Sequence, residues 1–192
     1  MNVLIGFEES QEVTKAFSKL GHEAYSCDLK PCSGGHPEWH LQMDIYEALG
    51  LKDWDFIGIH PECTKLAVSG NGTYGAGKIK NYQRIEAISF TIILWGKVKS
   101  IAKFAYMENP VGVLSKIIGN PQYIQPWQFG HGETKKTGLW LHNLPDLKPT
   151  NIVEGREQKI WKMSPGPKRS ELRSKTYPGI AKAMANQWGK LN

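Results

Sequence analysis

The first 28 residues limit the choice of fold most strongly, because they contain a strand, a helix and a second strand in quick succession. Val3–Phe7 is an unbroken apolar run, and Ala24–Asp28 is a second short run that ends in a carboxylate. Between them, apolar residues recur at the spacing of one helix face, at Val13, Ala16, Phe17 and Leu20. A crossover of this kind joins parallel strands, so the pattern predicts a βαβ unit and a parallel sheet.

The same reasoning predicts the elements that follow. Ser10 is the expected N-cap of the first helix, and Gly21 its stop. Further strands are predicted around Phe56–Ile59, at Phe104–Glu108 and at Thr137–Leu141. Helices are predicted at Tyr46–Leu51, at Asn81–Val98 with Ile85, Ile88, Ile92 and Trp95 on its inner face, and from Pro178 with Ile180, Ala181, Met184, Ala185 and Trp188 inward. The glycine-rich stretch Val68–Lys80 is predicted to be a flexible loop that suits a mobile lid.

Length and composition favour one compact α/β domain. Its 192 residues, 40% of them hydrophobic, are enough for a real core. We expect a catalytic core at 1–120, a basic and aromatic segment at 121–175, and a helix at 176–192 that completes the core. No apolar run approaches the roughly 20 residues that cross a bilayer, and the start of the chain lacks the pattern of a secretory signal.

Cysteine content and charge indicate a compartment and a partner. Three cysteines argue against a disulfide framework and for a reducing compartment, so we expect a cytoplasmic protein. The formal net charge of +6 fits a polyanionic partner such as DNA.

Polar side chains follow the predicted strands in an informative order. Asp28 ends the second strand, Asp44 precedes the next helix, and Glu108 ends the fifth strand. The central apolar run stops at Pro61, and Cys63 follows two residues later. Ligands bind at the carboxyl ends of the strands in open α/β sheets, so this edge is the expected site. A carboxylate after the second strand can hold ribose hydroxyls, and a thiol in the next loop is a candidate nucleophile.

This order resembles the DNA cytosine-5 methyltransferases, and more closely a compact branch of phage or prophage type. The resemblance covers nearly the whole chain. It rests on Leu4–Ser10 (the cofactor loop), Tyr25–Asp28, Gln42–Ile45, Asp55–Cys63 (the catalytic region), Glu108–Pro110, Lys135–Pro145 and Thr176–Trp188. It implies a Rossmann-like, S-adenosylmethionine-dependent methyltransferase fold, with a mostly parallel sheet and helices on both faces.

The resemblance also implies residue roles. Cys63 would attack carbon 6 of cytosine, and Glu108 would contact ring nitrogen 3 and the exocyclic amine, with Lys136 as the basic member of the catalytic set. The residues implied to bind S-adenosylmethionine are Gly6, Phe7, Glu9, Ser10, Asp28, Asp44, Ile45 and Pro61. The residues expected to contact DNA, with its target cytosine out of the base stack, are Lys78, Lys80, Lys135, Lys136 and Arg169.

Departures from the family pattern keep alternatives open. Glu9 and Ser10 stand where the family has glycines, Glu62 replaces a proline, and lysines replace an arginine pair. One alternative is therefore a catalytically impaired DNA-binding protein on the same scaffold. Another is an enzyme acting on a free pyrimidine nucleotide, because the chain is short for a full recognition domain. A loosely spaced zinc site is a third alternative, formed by Cys27, Cys32, His36 and His40.

Overall fold

The computed structural model describes residues 1–164, 166 and 169–191. The strands are β1 (Asn2–Gly6), β2 (Glu23–Cys27), β3 (His40–Leu41), β4 (Phe56–Ile59), β5 (Phe104–Pro110), β6 (Gln122–Ile124) and β7 (Thr137–His142). The helices are α1 (Glu12–Ser18), α2 (Ile45–Leu49), α3 (Asn71–Tyr74), α4 (Asn81–Ile101), α5 (Lys159–Lys162), α6 (Arg169–Ser174) and α7 (Pro178–Trp188).

The strands form one sheet in the order β3-β2-β1-β4-β5-β7-β6. Strands β1 to β5 pair in parallel, whereas β7 is antiparallel to both of its neighbours, β5 and β6. The carboxyl ends of β1, β2, β4 and β5 therefore meet at one edge. The prediction of a mostly parallel α/β sheet is confirmed.

Helices cover both faces of the sheet, because alternate residues of the buried strands point to opposite sides. On one face, Val3, Ile5, Phe56 and Tyr106 pack in a core with α1 and α7. On the other, Leu4, Ile57, Ile59 and Met107 pack in a core with α2 and α4. The residues predicted for the inner face of the last helix, Ile180, Ala181, Met184, Ala185 and Trp188, are all buried.

The predicted register of α4 was wrong in its first turns. Ile85 is 57% exposed, and the buried position beside it is Arg84. The Arg84 guanidinium donates to the carbonyls of Lys65 and Ala67 and to Asn71 Oδ1. A buried cation with three hydrogen bonds takes the place of an apolar side chain at this point. It also holds the segment before α4, where Val68–Gly70 and α3 form helical turns in part of the stretch predicted as a loop.

The second half of the chain contains structure that the sequence did not indicate. Strand β7 and helix α7 match their predictions, but β6 was missed. Helix α6 lies within the basic and aromatic segment, where no helix was predicted and where Pro165, Pro167 and Lys168 fall outside the described residues. Phe129 and Trp140 are buried, so these aromatic residues belong to the core, the more common role for such side chains. In the part of the chain that the structure describes, no helix is long and apolar enough to cross a membrane.

The N-terminus of α1 is capped by Glu8, and the prediction that Ser10 caps it was wrong. Both carboxylate oxygens of Glu8 accept hydrogen bonds, from the backbone of Val13 (2.6 Å) and Thr14 (3.1 Å) and from Thr14 Oγ1 (2.7 Å). Glu8 is only 3% exposed. Its burial raises the pKa from 4.5 to about 7, although the hydrogen bonds from Val13 and Thr14 oppose that rise.

Because its folded-state pKa is raised, Glu8 should make stability depend on pH. Its favourable contribution is complete below about pH 4.5 and is lost as the pH rises to about 7. In Glu8→Gln the side chain is neutral throughout, so wild type should lose about 3 kcal/mol relative to this variant between pH 4.5 and 7.5. Denaturant unfolding at a series of pH values measures this difference. The control Glu86→Gln, at an exposed position of α4, should leave the profile of wild type unchanged. Parallel profiles for Glu8→Gln and wild type would contradict the assignment.

Candidate functional site

Strands β4 and β5 bring a thiol and a carboxylate to the same edge of the sheet. The chain leaves β4 through His60 and Pro61, and Cys63 lies in the following loop with its side chain exposed. Glu108 and Asn109 lie near the end of β5. The buried Asn109 donates from Nδ2 to the Pro61 carbonyl at 2.9 Å, which ties the two strand ends together.

A second tie joins the loops that continue beyond these residues. Ala67 and Gly112 form an antiparallel bridge. Around it, the Val68 amide donates to the Val111 carbonyl (2.9 Å) and the Val113 amide donates to the Leu66 carbonyl (3.0 Å). The loop of Cys63 and the loop after Glu108 are thus fixed relative to each other by backbone hydrogen bonds.

The charges around Cys63 act in opposite directions on its thiol. Its pKa is raised above 9.0 by desolvation within the loop and by the Glu108 carboxylate, whereas Lys135 and Arg173 lower it. The charges of Glu108 and Lys135 therefore both act on the thiol, although the two residues come from different parts of the sequence. Glu62 is exposed.

A narrow cleft lies beside Glu108. Its lining is polar on one side, with Glu108, Lys135, Thr137, Thr176 and Tyr177, and apolar on the other, with Ile124, Ile180 and Met184. Lys135 Nζ donates to the Lys175 carbonyl at 3.1 Å and lies 5.9 Å from the centre of the Tyr177 ring. The cleft therefore combines an acceptor, a cation and apolar walls.

Lys136 does not join this group. Its ammonium lies over the ring of Tyr123 at 4.3 Å, and the side chain is exposed. The basic residue near the thiol is instead Lys135, which was expected only to contact DNA. The two are neighbours in the sequence, so only their side-chain directions separate them.

His60 also lies in this region, although it was not among the site residues predicted from the sequence. One of its ring nitrogens, Nε2, pairs with the Tyr106 hydroxyl at 2.7 Å. Burial and Lys135 lower the pKa of His60, while Glu108 raises it. Gly58 makes this pairing possible, because a Cβ there would lie 2.3 Å from Tyr106 Cε1. The sequence feature that could have indicated His60 is its position directly before Pro61, at the end of a buried strand.

The ends of β1 and β2 gather most of the residues expected to bind a cofactor. The Phe7 amide donates to the Cys27 carbonyl at 2.6 Å, and Phe7 has φ 61°. A Cβ on Gly6 would lie 2.6 Å from Ile45 Cδ1, so Gly6 allows α2 to approach the turn. Phe7 also meets the Phe90 ring edge-on, with 6.2 Å between ring centres.

Asp28 and Asp44 converge from different segments. Both carboxylates act on the buried Cys27 thiol, whose pKa is raised to about 12 by burial first and then by these two charges. Asp28 Oδ1 accepts from the Lys30 amide, and Asp44 Oδ1 caps α2 by accepting from the Tyr46 amide at 2.8 Å. Each carboxylate uses one oxygen locally and has a second oxygen for a ligand.

Glu9 and Ser10 have a different environment. The Glu9 carboxylate accepts from Ser33 Oγ, and Ser10 is buried. A Cβ on Gly34 would lie 2.5 Å from the Ser10 carbonyl, so the loop after β2 packs closely on this turn. The left-handed conformations of the turn occur at Phe7 and at Gln11 (φ 57°), and Glu9 and Ser10 do not adopt them.

The remaining residues expected to contact DNA are spread over the surface. Lys78 and Lys80 are exposed in the segment before α4. Pro61, which was expected to bind the cofactor, is buried. Arg169 begins α6, the helix that carries Arg173 towards the thiol.

The structure does not assemble the zinc site considered above. Cys27 is buried and donates to the Met43 carbonyl, and both ring nitrogens of His40 have other partners, Ser26 Oγ and the Lys30 carbonyl. Across residues 1–164, 166 and 169–191, no three His, Cys, Asp or Glu side chains are grouped to hold a metal ion.

Comparisons with known proteins support the fold. No family model and no curated protein matches the sequence. Among solved structures, a proposed DNA modification methyltransferase encoded within a prophage of E. coli is 12% identical over 86% of this chain, with a TM-score of 0.53. The methyltransferase EhMeth of Entamoeba histolytica is 12% identical over 83%, with a TM-score of 0.54. The matched regions are 55% and 58% of those chains. The sheet and its helices are thus of the Rossmann-like methyltransferase type.

Proposed function

We propose that this protein is an S-adenosylmethionine-dependent methyltransferase that modifies carbon 5 of cytosine in DNA through a covalent bond to Cys63. The observation that carries the proposal is that the loop of the exposed Cys63 is tied to the end of β5, where Glu108 lines a cleft together with Lys135. A nucleophile, an acceptor for the amine of the ring and a cation are the groups that this reaction needs. The fold is shared with two methyltransferases, and this analogy supports the proposed chemistry.

The protein residues would act on the ring in sequence. The Cys63 thiolate forms a bond from sulfur to carbon 6, which moves an electron pair of the ring to carbon 5. Glu108 accepts a hydrogen bond from the exocyclic amine beside nitrogen 3, and Lys135 stabilises the negative charge on the ring and on sulfur. After carbon 5 has been methylated, its proton passes to water. The electrons of that C–H bond re-form the double bond, and the sulfur–carbon bond breaks to return an electron pair to Cys63.

Substrate binding would also make the thiol easier to ionise. Without substrate, desolvation and then the charge of Glu108 raise the pKa of Cys63. Once the ring engages Glu108, the contribution of that charge is offset, and the pKa of the thiol falls. Activation of the nucleophile would then depend on the presence of the target base.

The residues at the ends of β1 and β2 fit S-adenosylmethionine. Asp28 would hold the ribose hydroxyls, Asp44 would accept from the adenine amine, and Phe7 with Ile45 would provide an apolar surface for the base. Their arrangement around Cys27 and Gly6 supports this assignment, since both carboxylates reach one small region. When bound, this cofactor supplies an electrophilic methyl group on a sulfonium. Glu9 and Ser10 would contribute through the backbone of the turn, since the side chain of Glu9 has a partner in Ser33.

Asp44→Asn should weaken cofactor binding about tenfold without loss of stability. Asparagine caps a helix as well as aspartate does, so its side-chain oxygen will accept from the Tyr46 amide and keep α2 intact. The group then left for the adenine amine is a donor and not an acceptor, which costs a charge-assisted hydrogen bond. Titration calorimetry with S-adenosylmethionine measures the change. The control Asp53→Asn, at the opposite edge of the sheet, should bind as wild type does, and equal affinities for wild type and Asp44→Asn would remove Asp44 from the site.

Three exposed lysines and the half-buried Arg169 supply a general attraction to DNA phosphates. Lys136, Lys78, Lys80 and Arg169 would contact the backbone and position the duplex, with no sequence information of their own. The glycine-rich segment before α4 would close over a flipped base.

The test is the product itself. The purified protein is incubated with labelled S-adenosylmethionine and either duplex DNA or cytidine monophosphate, and the nucleosides are separated. The proposal requires 5-methyldeoxycytidine from DNA. Label in the mononucleotide alone would favour a nucleotide-modifying enzyme, and DNA binding without label would favour a non-catalytic binding protein.

A further inference from the structure

Thr176 lines the cleft beside Glu108 and has a buried hydroxyl. The residue is 8% exposed and lines the cleft together with Glu108 and Lys135. Within the described part of the chain, Thr176 Oγ1 has no hydrogen-bond partner. A buried hydroxyl without a partner costs stability, so such groups are rare unless something satisfies them.

Three other polar side chains of the cleft, unlike Thr176, have hydrogen-bond partners within the protein. Thr137 Oγ1 donates to the Lys135 carbonyl at 3.1 Å, and the Tyr177 hydroxyl donates to Glu133 Oε2 at 2.6 Å. Lys135 Nζ has the Lys175 carbonyl as one partner. The hydroxyl of Thr176 is therefore the neutral donor on this wall that a ligand can engage without breaking a bond within the protein.

The chemistry of the ring indicates which ligand atom it would meet. In the proposed complex, Glu108 lies against nitrogen 3 and the exocyclic amine of cytosine. The remaining polar atom on that edge of cytosine is the carbonyl oxygen at carbon 2, which accepts a hydrogen bond. A hydroxyl is a suitable donor to it, and a buried one discriminates strongly against a ring that lacks the oxygen.

We infer that Thr176 is a specificity-determining residue of the cleft, where its hydroxyl donates to the 2-carbonyl oxygen of the target pyrimidine. The inference rests on the proposed function and deepens it. It assigns to the segment before α7 a direct part in reading the base. That segment already supplies the carbonyl of Lys175 to Lys135 and the ring of Tyr177 to the cleft wall.

The experiment compares two ligands on the full chain. One is a single-stranded oligonucleotide with one cytosine. The other carries a 2-aminopyridine C-nucleoside in its place, which keeps the amine and the ring nitrogen but lacks the carbonyl oxygen. Fluorescence anisotropy, in the presence of S-adenosylhomocysteine, gives the affinity of each for wild type and for Thr176→Val. We expect the variant to bind cytosine about tenfold more weakly and the analogue as tightly as wild type does.

Stability and two further variants separate recognition from structure. Thr176→Val removes an unsatisfied hydroxyl, so the melting temperature of the variant without ligand should be equal to or higher than that of wild type. Thr137→Val removes a satisfied hydroxyl and should lower it. Thr176→Ser keeps the hydroxyl and should retain wild-type affinity for cytosine.

Each result has a distinct meaning. Equal cytosine affinity for wild type and Thr176→Val would overturn the inference, and so would an equal loss of affinity for both ligands. The proposed function would survive either result if wild type still methylates cytosine in DNA. If wild type fails to distinguish the cytosine oligonucleotide from one with an abasic site, the proposed function fails, and this inference fails with it.

Discussion

Cys63→Ser is expected to lower methyl transfer to DNA by a factor on the order of 10³ or more, because the hydroxyl of serine is not ionised at neutral pH. The variant should keep the stability of wild type, since the side chain is exposed and contributes little to the core. The same substitution should abolish covalent capture of DNA that contains 5-fluorocytosine. Fluorine does not leave carbon 5 as a cation, so in wild type the bond between sulfur and carbon 6 should persist and survive denaturation.

The control for this experiment is Cys32→Ser. Cys32 is a partly exposed free cysteine in the loop after β2, and it lies away from β4 and β5. This variant should form the adduct at the rate of wild type. Mass spectrometry of the trapped complex should place the DNA on the peptide that contains Cys63. An adduct that persists in Cys63→Ser, or that maps to Cys32, would contradict the assignment of the nucleophile.

Elements with a strong apolar pattern were predictable from the sequence. Strands β1 and β4 are continuous apolar runs, and α7 has its apolar residues at helical spacing, so burial on the expected faces followed. The place of Cys63 beyond a buried strand was predictable for the same reason, because a parallel strand delivers the loop that follows it to a known edge.

Features that depend on tertiary contacts were not predictable in this way. Arg84 is buried because three acceptors from the segment before α4 surround its guanidinium. Apolar spacing alone predicts that Ile85 is the buried residue. The position of Lys135, and not Lys136, on the cleft wall also depends on tertiary contacts. Both precede β7 in the sequence, and only the packing of Tyr177 and Tyr123 decides which ammonium faces the cleft.

The β1–α1 turn shows how a motif can lose its usual residues and keep its shape. Glu9 and Ser10 stand where the family that this sequence resembles has glycines. In the structure the left-handed residues are Phe7 and Gln11, and Gln11 is held by hydrogen bonds to Ser26 Oγ and to the His36 backbone. The side-chain bonds offset the strain of a left-handed non-glycine residue. A motif comparison does not contain this information, because the compensating partners lie in another loop.

Gly112→Ala is the second substitution with a large expected effect, because it acts on the alignment of Cys63 with Glu108. A Cβ at this position would lie 2.2 Å from the Leu66 carbonyl oxygen, which is backbone and cannot rotate away. The bridge to Ala67 would have to open, at a cost of about 2–3 kcal/mol in the free energy of unfolding. A shift of the Cys63 loop by about 1 Å should also reduce the rate of adduct formation about 10²-fold.

The matched control is Gly72→Ala in α3, where no atom lies within 4 Å of the added Cβ. Alanine is a better helix former than glycine, so this variant should be as stable as wild type or slightly more stable. Adduct formation is measured per folded molecule, with the folded fraction taken from denaturant unfolding of each variant. If Gly112→Ala lost stability but kept its rate, the bridge would stabilise the fold without aligning the thiol, and the fixed geometry proposed for Cys63 and Glu108 would have to come from Asn109 and Pro61 alone.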